Sequence, residues 1–253
     1  MRRQIAGGAA PKVSVVSKQV TVRGITILNL AMLERNQRVE VLELNSNQID
    51  YAGAQSLATA LPSTLTLLDL DGNQVGDSGA STLAAAWPAA LKRVHLNINQ
   101  IGDYGAKAIG SNLPSTLTVL FLQANLIGDD GAQAIGSGLP RTLVELHLDK
   151  NRFGDAGAMA IAANLPSTLT TLGISGNRIG NDGAQALAAR LPMAAIVTMY
   201  FYGNKVGDAG AQALASTLPR SMVTLYLHDN QISDYWKQAV RDMWAGRNER
   251  LLV

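Results

Sequence analysis

The chain has 253 residues, of which 47% are hydrophobic and 16% charged, so it can bury a sizeable core. It contains no cysteine, which excludes disulfides, thiolate metal sites and any mechanism that uses a cysteine nucleophile. The formal net charge of +2 is close to neutral, so where the charges sit matters more than their sum.

The chain opens with MRRQIAGGAAPK, a basic pair with no apolar segment behind it. No secretory signal is expected there, and residues 1–11 read as a flexible tail. Residues 12–38 hold a β-rich piece, KVSVVSKQVTV, and an apolar stretch, ITILNLAML, that predicts a helix. Together they read as an N-terminal cap or a degenerate first coil. From residue 39 one unit takes over. Asparagine recurs at Asn47, Asn73, Asn99, Asn125, Asn151, Asn177, Asn204 and Asn230, with six spacings of 26 and one of 27. Pro62, Pro88, Pro114, Pro140, Pro166, Pro192 and Pro219 each follow an asparagine by 15 residues. Eight copies fill residues 39–233, and residues 234–253 are left for a capping helix and tail.

Each unit has a readable physics. In LTLLDL (65–70), Leu68 and Leu70 flank Asp69, a period of two that predicts a short strand with one buried face. The asparagine follows where the chain turns, and its side chain is expected to satisfy backbone groups of neighbouring coils as a ladder. The aspartates of [IV]-G-D-x-G-A (Asp77, Asp103, Asp129, Asp155, Asp208 and Asp234) predict helix N-caps. Asn181 substitutes in one unit, and Asp50 takes the role in the first, where Tyr51 stands. Ala132, Ile135, Gly136 and Leu139 then form a helical stripe of small and apolar residues, and Leu-Pro ends the helix. The longer unit is expected to place its extra residue in a loop bulge at 193–195. Residues 234–247 predict a longer amphipathic helix whose Trp236, Val240 and Trp244 seal the last coil. The longest apolar run, residues 83–91, has nine residues and a proline, far short of a membrane span.

The motif LxxLxLxxNx[IV]GDxGAxA[LI]xxxLP resembles the ribonuclease-inhibitor-type subfamily of leucine-rich repeat proteins over about four-fifths of the chain. That resemblance implies an α/β fold, a right-handed α/β solenoid curved into a horseshoe. A parallel sheet would line its concave face and helices its convex face. It also implies recognition of another protein rather than catalysis. The unit is shorter than that subfamily's usual one and lacks the cysteines of the mammalian inhibitor, so ribonuclease inhibition is not implied. The LPSTLT segments resemble repeats of bacterial proteins, including effectors of intracellular pathogens, and the terminal ERLLV is compatible with a translocation signal. GTPase-activating proteins of the nuclear-transport GTPase use similar repeats, which gives an alternative reading, although the acidic tail usual there does not occur in this sequence.

Residues that build the coil recur, whereas the outward strand positions do not. One column runs Glu43, Asp69, His95, Phe121, His147, Gly173, Tyr200, Tyr226, and the next Asn45, Asp71, Asn97, Gln123, Asp149, Ser175, Tyr202, His228. These 16 positions hold all three histidines and three of the six tyrosines, a concentration that points to a binding surface. Its N-terminal part is acidic (Glu43, Asp69, Asp71, with Glu145 and Asp149 further on) and its C-terminal part aromatic (Tyr200, Tyr202, Tyr226, His228). Tyrosine is enriched at interface anchors, and acidic groups steer basic partners. The expected partner is therefore another protein bound by a monomer, with no nucleic acid, membrane insertion, cofactor, metal or catalytic residue. A metal between His95 and His147 is disfavoured, because they lie two rungs and about 10 Å apart with Phe121 between them. A hydrolytic or metal site around His95 and Asp69 stands as an alternative. The expected location is the cytoplasm, or a host cell if the chain is exported.

Overall fold

The computed structural model describes residues 12–14, 39–244 and 250–253. The tail expected over residues 1–11 and the helix expected in ITILNLAML lie outside the described residues. The strands are short, as one buried pair of leucines per unit requires. They are β1 (Lys12–Ser14), β2 (Val41–Glu43), β3 (Leu67–Asp69), β4 (Arg93–His95), β5 (Val119–Phe121) and β6 (Glu145–His147). The series continues with β7 (Thr171–Gly173), β8 (Thr198–Tyr200), β9 (Thr224–Tyr226) and β10 (Arg250–Leu252). All ten pair in parallel and in sequence order, each three residues in register with the next. Helices alternate with them: α1 (Tyr51–Ala58), α2 (Gly76–Ala85), α3 (Asp103–Ser111), α4 (Asp129–Gly138) and α5 (Asp155–Ala163). They are followed by α6 (Asn181–Arg190), α7 (Asp208–Thr217) and α8 (Asp234–Trp244). The fold is an α/β solenoid with the sheet on its concave face and the helices outside.

One core runs the length of the coil. The central strand residues Leu42, Leu68, Val94, Leu120, Leu146, Leu172, Met199 and Leu225 are fully buried, with the helix residues Leu57, Leu83, Ile109, Ile135, Ile161, Leu187 and Leu214 facing them. Truncating one such residue to alanine costs about 2–5 kcal/mol. The helices touch through small residues. A Cβ on Gly110 would collide with the Ala134 carbonyl of the next helix, so alanine and glycine on this stripe set the spacing.

The asparagine ladder forms as expected. Asn73 Nδ2 donates to the carbonyls of Leu70 and of Leu44 in the preceding unit, and its Oδ1 accepts from the Ile49 N–H. Asn125 does the same with Leu122, Leu96 and Ile101, and also accepts from Asn99 N–H. The threonine two residues after the helix-ending proline adds a second ladder. Thr116, Thr142 and Thr168 each donate to two carbonyls of the preceding unit.

The aspartates correct the sequence expectation. The N-cap of α3 is Gly102, and Asp103 is the first helical residue. Asp103 Oδ1 reaches forward instead, accepting from Gly128 N–H (2.7 Å) and Gly131 N–H (3.0 Å) at the start of α4. Asp77, Asp129 and Asp155 bond the next helix in the same way, and Asn181 does so to Gly207 and Gly210. Asp77, Asp103, Asp129 and Asp155 thus cap the next helix, and a Cβ on the receiving glycine would intrude on that carboxylate. Asp208 accepts from Ser233 N–H, and Asp234, in the last helix, accepts from Lys237 Nζ instead. The first unit keeps local capping: Asp50 accepts from Gly53 N–H.

In the longer unit Leu191–Met193 form a 3-10 turn, and the extra residue falls between Pro192 and the buried Ile196, in the connection before β8 where it was expected. The terminal ERLLV is not a free tail, because Arg250–Leu252 adds a strand to the sheet. Leu251 and Val253 pack on the core beside Val240, Trp244 and the partly buried Trp236 of α8.

Candidate functional site

Because the strands are in register, side chains two residues apart stand in columns on the concave face. His95 stacks on Phe121 with ring centroids 4.6 Å apart and planes 17° apart. Phe121 meets His147 edge-on at 4.8 Å. The next rung is Gly173, where a Cβ would strike His147 and Asp149. The notch lets His147 reach Tyr200 of the following strand at 5.8 Å. Tyr200 then stacks on Tyr226 at 5.2 Å, and Tyr202 on His228 at 4.8 Å, both nearly parallel. Offset and edge-to-face ring pairs of this kind are worth about 0.5–1.5 kcal/mol beyond their area.

The second column is a polar chain. Asp71 accepts from Asn97 N–H (2.7 Å) and Asn97 Nδ2 (2.9 Å), and Asn97 Oδ1 accepts from Gln123 N–H. Gln123 Nε2 lies 3.0 Å from both His147 Nδ1 and Asp149 Oδ2, and those two atoms are 3.2 Å apart. Asp149 Oδ1 accepts from Ser175 N–H. Between the columns and the loop edge lies a cleft of about 510 Å³, whose walls include Gln123, His147, Tyr200, Tyr202 and Lys150. Burial lowers the pKa of His95, against the opposing pull of Asp69 and Asp71. Burial likewise raises the pKa of Asp71, although its bonds from Asn97 oppose the shift.

The sequence-chosen residues do meet on one face, but they are not equivalent. Glu43 is bound to Lys12 of β1 (2.6 Å) and to Ser14, so its charge is neutralised. Asp149 is buried and fully engaged by Gln123, His147 and Ser175, and Ser175 is also buried. Phe121 is half-buried, stacked on His95 and in edge contact with His147. Asp69, Asp71 and Glu145 are the acidic groups of this face without an ion pair among the described residues. A third column escaped notice apart from Glu145: Val41, Leu67, Arg93, Val119, Thr171, Thr198 and Thr224 occupy the first strand positions. The period of two predicts this column, since residues two apart share a face. Ile98, at the mouth of the cleft, is 61% exposed.

A leucine-rich repeat family model matches seven segments, residues 35–58, 62–84, 90–110, 114–136, 140–162, 166–188 and 203–215, which together exceed half of the chain. A comparison with curated proteins gives no significant match. Among solved structures, a plant ice-binding protein is similar with a TM-score of 0.55 and 19% identity, over 87% of this chain. The chain spans 64% of that protein's length. A chain of the octameric complex of latrophilin 3, Unc5D and FLRT2, which includes a leucine-rich repeat part, is similar with a TM-score of 0.51 and 24% identity. That match covers 84% of this chain and 67% of the other. Internalin C2 of Listeria monocytogenes aligns over 96% of this chain and 78% of its own, with a TM-score of 0.49 and 23% identity. At these identities the likeness concerns the fold, and the repeat model matching most of the coil supplies the rest: the chain belongs to the leucine-rich repeat family.

Proposed function

We propose that the concave face binds another protein without catalysing a reaction, through a mode close to that of ribonuclease-inhibitor-type repeats. Leucine-rich repeat domains generally serve as protein-recognition scaffolds. The single observation that carries the reading is the ring ladder from His95 to Tyr226, continued across the Gly173 notch. Rings already held by their neighbours lose little side-chain entropy when a partner docks, so their contact area converts efficiently into affinity. Asp69, Asp71 and Glu145 favour a partner segment that carries basic residues. Among the described residues no helix is long and apolar enough to cross a membrane.

The test is affinity capture with the intact chain and with a Tyr200→Ala, Tyr202→Ala, Tyr226→Ala variant. A partner held by the intact chain and lost by a folded variant supports the reading; equal recovery by both refutes it. An exported effector acting on a host protein is the biological setting we favour over a resident cytoplasmic scaffold, on the strength of the LPSTLT repeats. A translocation reporter fused to the whole chain tests it. Deleting the last 20 residues would strip β10 and the whole of α8, confounding export with folding.

A further inference from the structure

The acidic end of the concave face holds a group that the ring ladder explains only in part: His95 is its first ring, whereas Asp69 and Asp71 lie outside it. Asp69 of β3 and His95 of β4 are direct partners in the parallel register, and Asp71 lies two residues beyond Asp69. One ligand atom from each of the three falls within 4.8 Å of the other two. Their second bonds orient them. Asp69 Oδ1 accepts from Asp71 N–H, Asp71 is held by Asn97, and Phe121 packs flat against the His95 ring. Such supports are what a metal site needs around its ligands.

Two observations set this group apart from ordinary surface carboxylates. Among the described residues neither aspartate has a cationic partner, although both are only half-exposed. His95 Nε2 is buried and has no hydrogen-bond partner. By contrast, the other histidine–carboxylate pair in the middle of the face, His147 and Asp149, is consumed by Gln123 and Ser175.

We propose that Asp69, Asp71 and His95 form a binding site for one divalent transition-metal ion of the zinc or manganese class. Two carboxylates and one imidazole make a mixed oxygen–nitrogen set, which suits these ions better than the all-oxygen cages of calcium. Metal–ligand bonds of about 2.0–2.2 Å place ligand atoms roughly 3.4 Å apart in a tetrahedral shell, so the three ligand atoms, which lie within 4.8 Å of one another, draw closer together on binding. Three protein ligands leave a further coordination position. The site shares Asp69, Asp71 and His95 with the face assigned to a protein partner, but metal uptake is read on the chain alone and partner capture on the tyrosine variant, so either can fail without the other.

The test uses the full chain, purified without a histidine tag and stripped with a chelator. Titration with ZnCl2 and with MnCl2, followed by calorimetry and metal analysis after dialysis, is expected to give one equivalent per chain for at least one of the two ions. Asp71→Asn and His95→Gln are each expected to weaken binding by at least about tenfold, whereas His147→Gln leaves it unchanged. Circular dichroism on every variant separates lost binding from lost folding. In the unmutated chain, Mn2+ should broaden the ring-proton signals of His95 at lower concentration than those of His147 or His228. No saturable uptake in the submillimolar range, uptake unaltered in folded Asp71→Asn and His95→Gln, or broadening that begins at another histidine overturns the proposal.

Discussion

The residue before each ladder asparagine adopts a left-handed backbone. Ser46, Ile98, Ala124, Lys150 and Asp229 have φ of 53–56°, and Gly72, Gly176 and Gly203 have φ of 63–66°. The turn that aims the asparagine inward imposes this conformation, whatever residue stands there. Ile98 is the worst suited of the eight, because a β-branched side chain crowds the carbonyl in this region. With 61% of its surface exposed, it gains little from burial in return. Ile98→Gly is therefore expected to stabilise the fold by about 1 kcal/mol, the usual scale of the left-handed cost less the entropy of a free glycine. A urea titration checks it, and a lower midpoint for the variant would contradict the strain assignment. The three glycines at this position hint at the requirement in the sequence, but five other residue types conceal it. Conversely, the asparagine itself was fully legible, because a buried amide that must satisfy donors and acceptors on two coils tolerates no other residue type there. The ring ladder was legible only as composition. That Phe121 stacks on His95 and meets His147 edge-on, and that Gly173 opens a notch for His147 and Tyr200, depends on side-chain angles that alternation does not specify.

At the scale of the element, the strand–turn–helix unit was readable because each boundary has a chemical cause: paired leucines, a turn asparagine, a proline after the helix. What was misread is the destination of one hydrogen bond. An aspartate at a helix start is normally a local cap, but here the preceding glycine is the N-cap and the carboxylate reaches the neighbouring unit. Sequence spacing alone cannot separate these cases, since the acceptor is 25 residues from its donor and only the stacking brings them together. The two assignments differ in which helix suffers when the aspartate is removed. Asp103→Ala leaves Gly128 and Gly131 N–H groups without their acceptor, so the loss of about 1–2 kcal/mol should be felt at the first turn of α4. Amide hydrogen exchange reads this directly. Faster exchange at residues 128–132 with α3 unchanged is expected, and faster exchange at residues 103–106 alone would restore local capping. Because the bond joins units, these aspartates couple adjacent repeats as well as finishing helices.

The whole molecule behaves as a one-dimensional stack, in which each unit rests on its two neighbours and the ends need covers. At one end Lys12–Ser14 pairs with β2, and Lys12 neutralises Glu43. At the other, α8 closes the core with Val240 and Trp244, and β10 covers the edge of β9. The Leu227 N–H donates to the Leu252 carbonyl at 2.6 Å, and Leu251 and Val253 lie against the core. A free parallel edge here would bare backbone donors and acceptors beside apolar residues, a template for association with another chain. Removing residues 250–253 should therefore destabilise locally. Burial of two apolar side chains and the lost edge bonds together correspond to roughly 2–4 kcal/mol, concentrated in β9 and α8. In a nearest-neighbour stack the middle of the coil feels little of this, since nothing in the contacts of β3 to β6 changes. Hydrogen exchange on the truncated chain should then show protection lost around residues 222–244 and retained over residues 65–150. A uniform fall along the coil would mean that the repeats unfold as one cooperative block. It would also mean that the terminal strand stabilises the concave face as a whole, including the rungs that carry Asp69, His95 and Phe121.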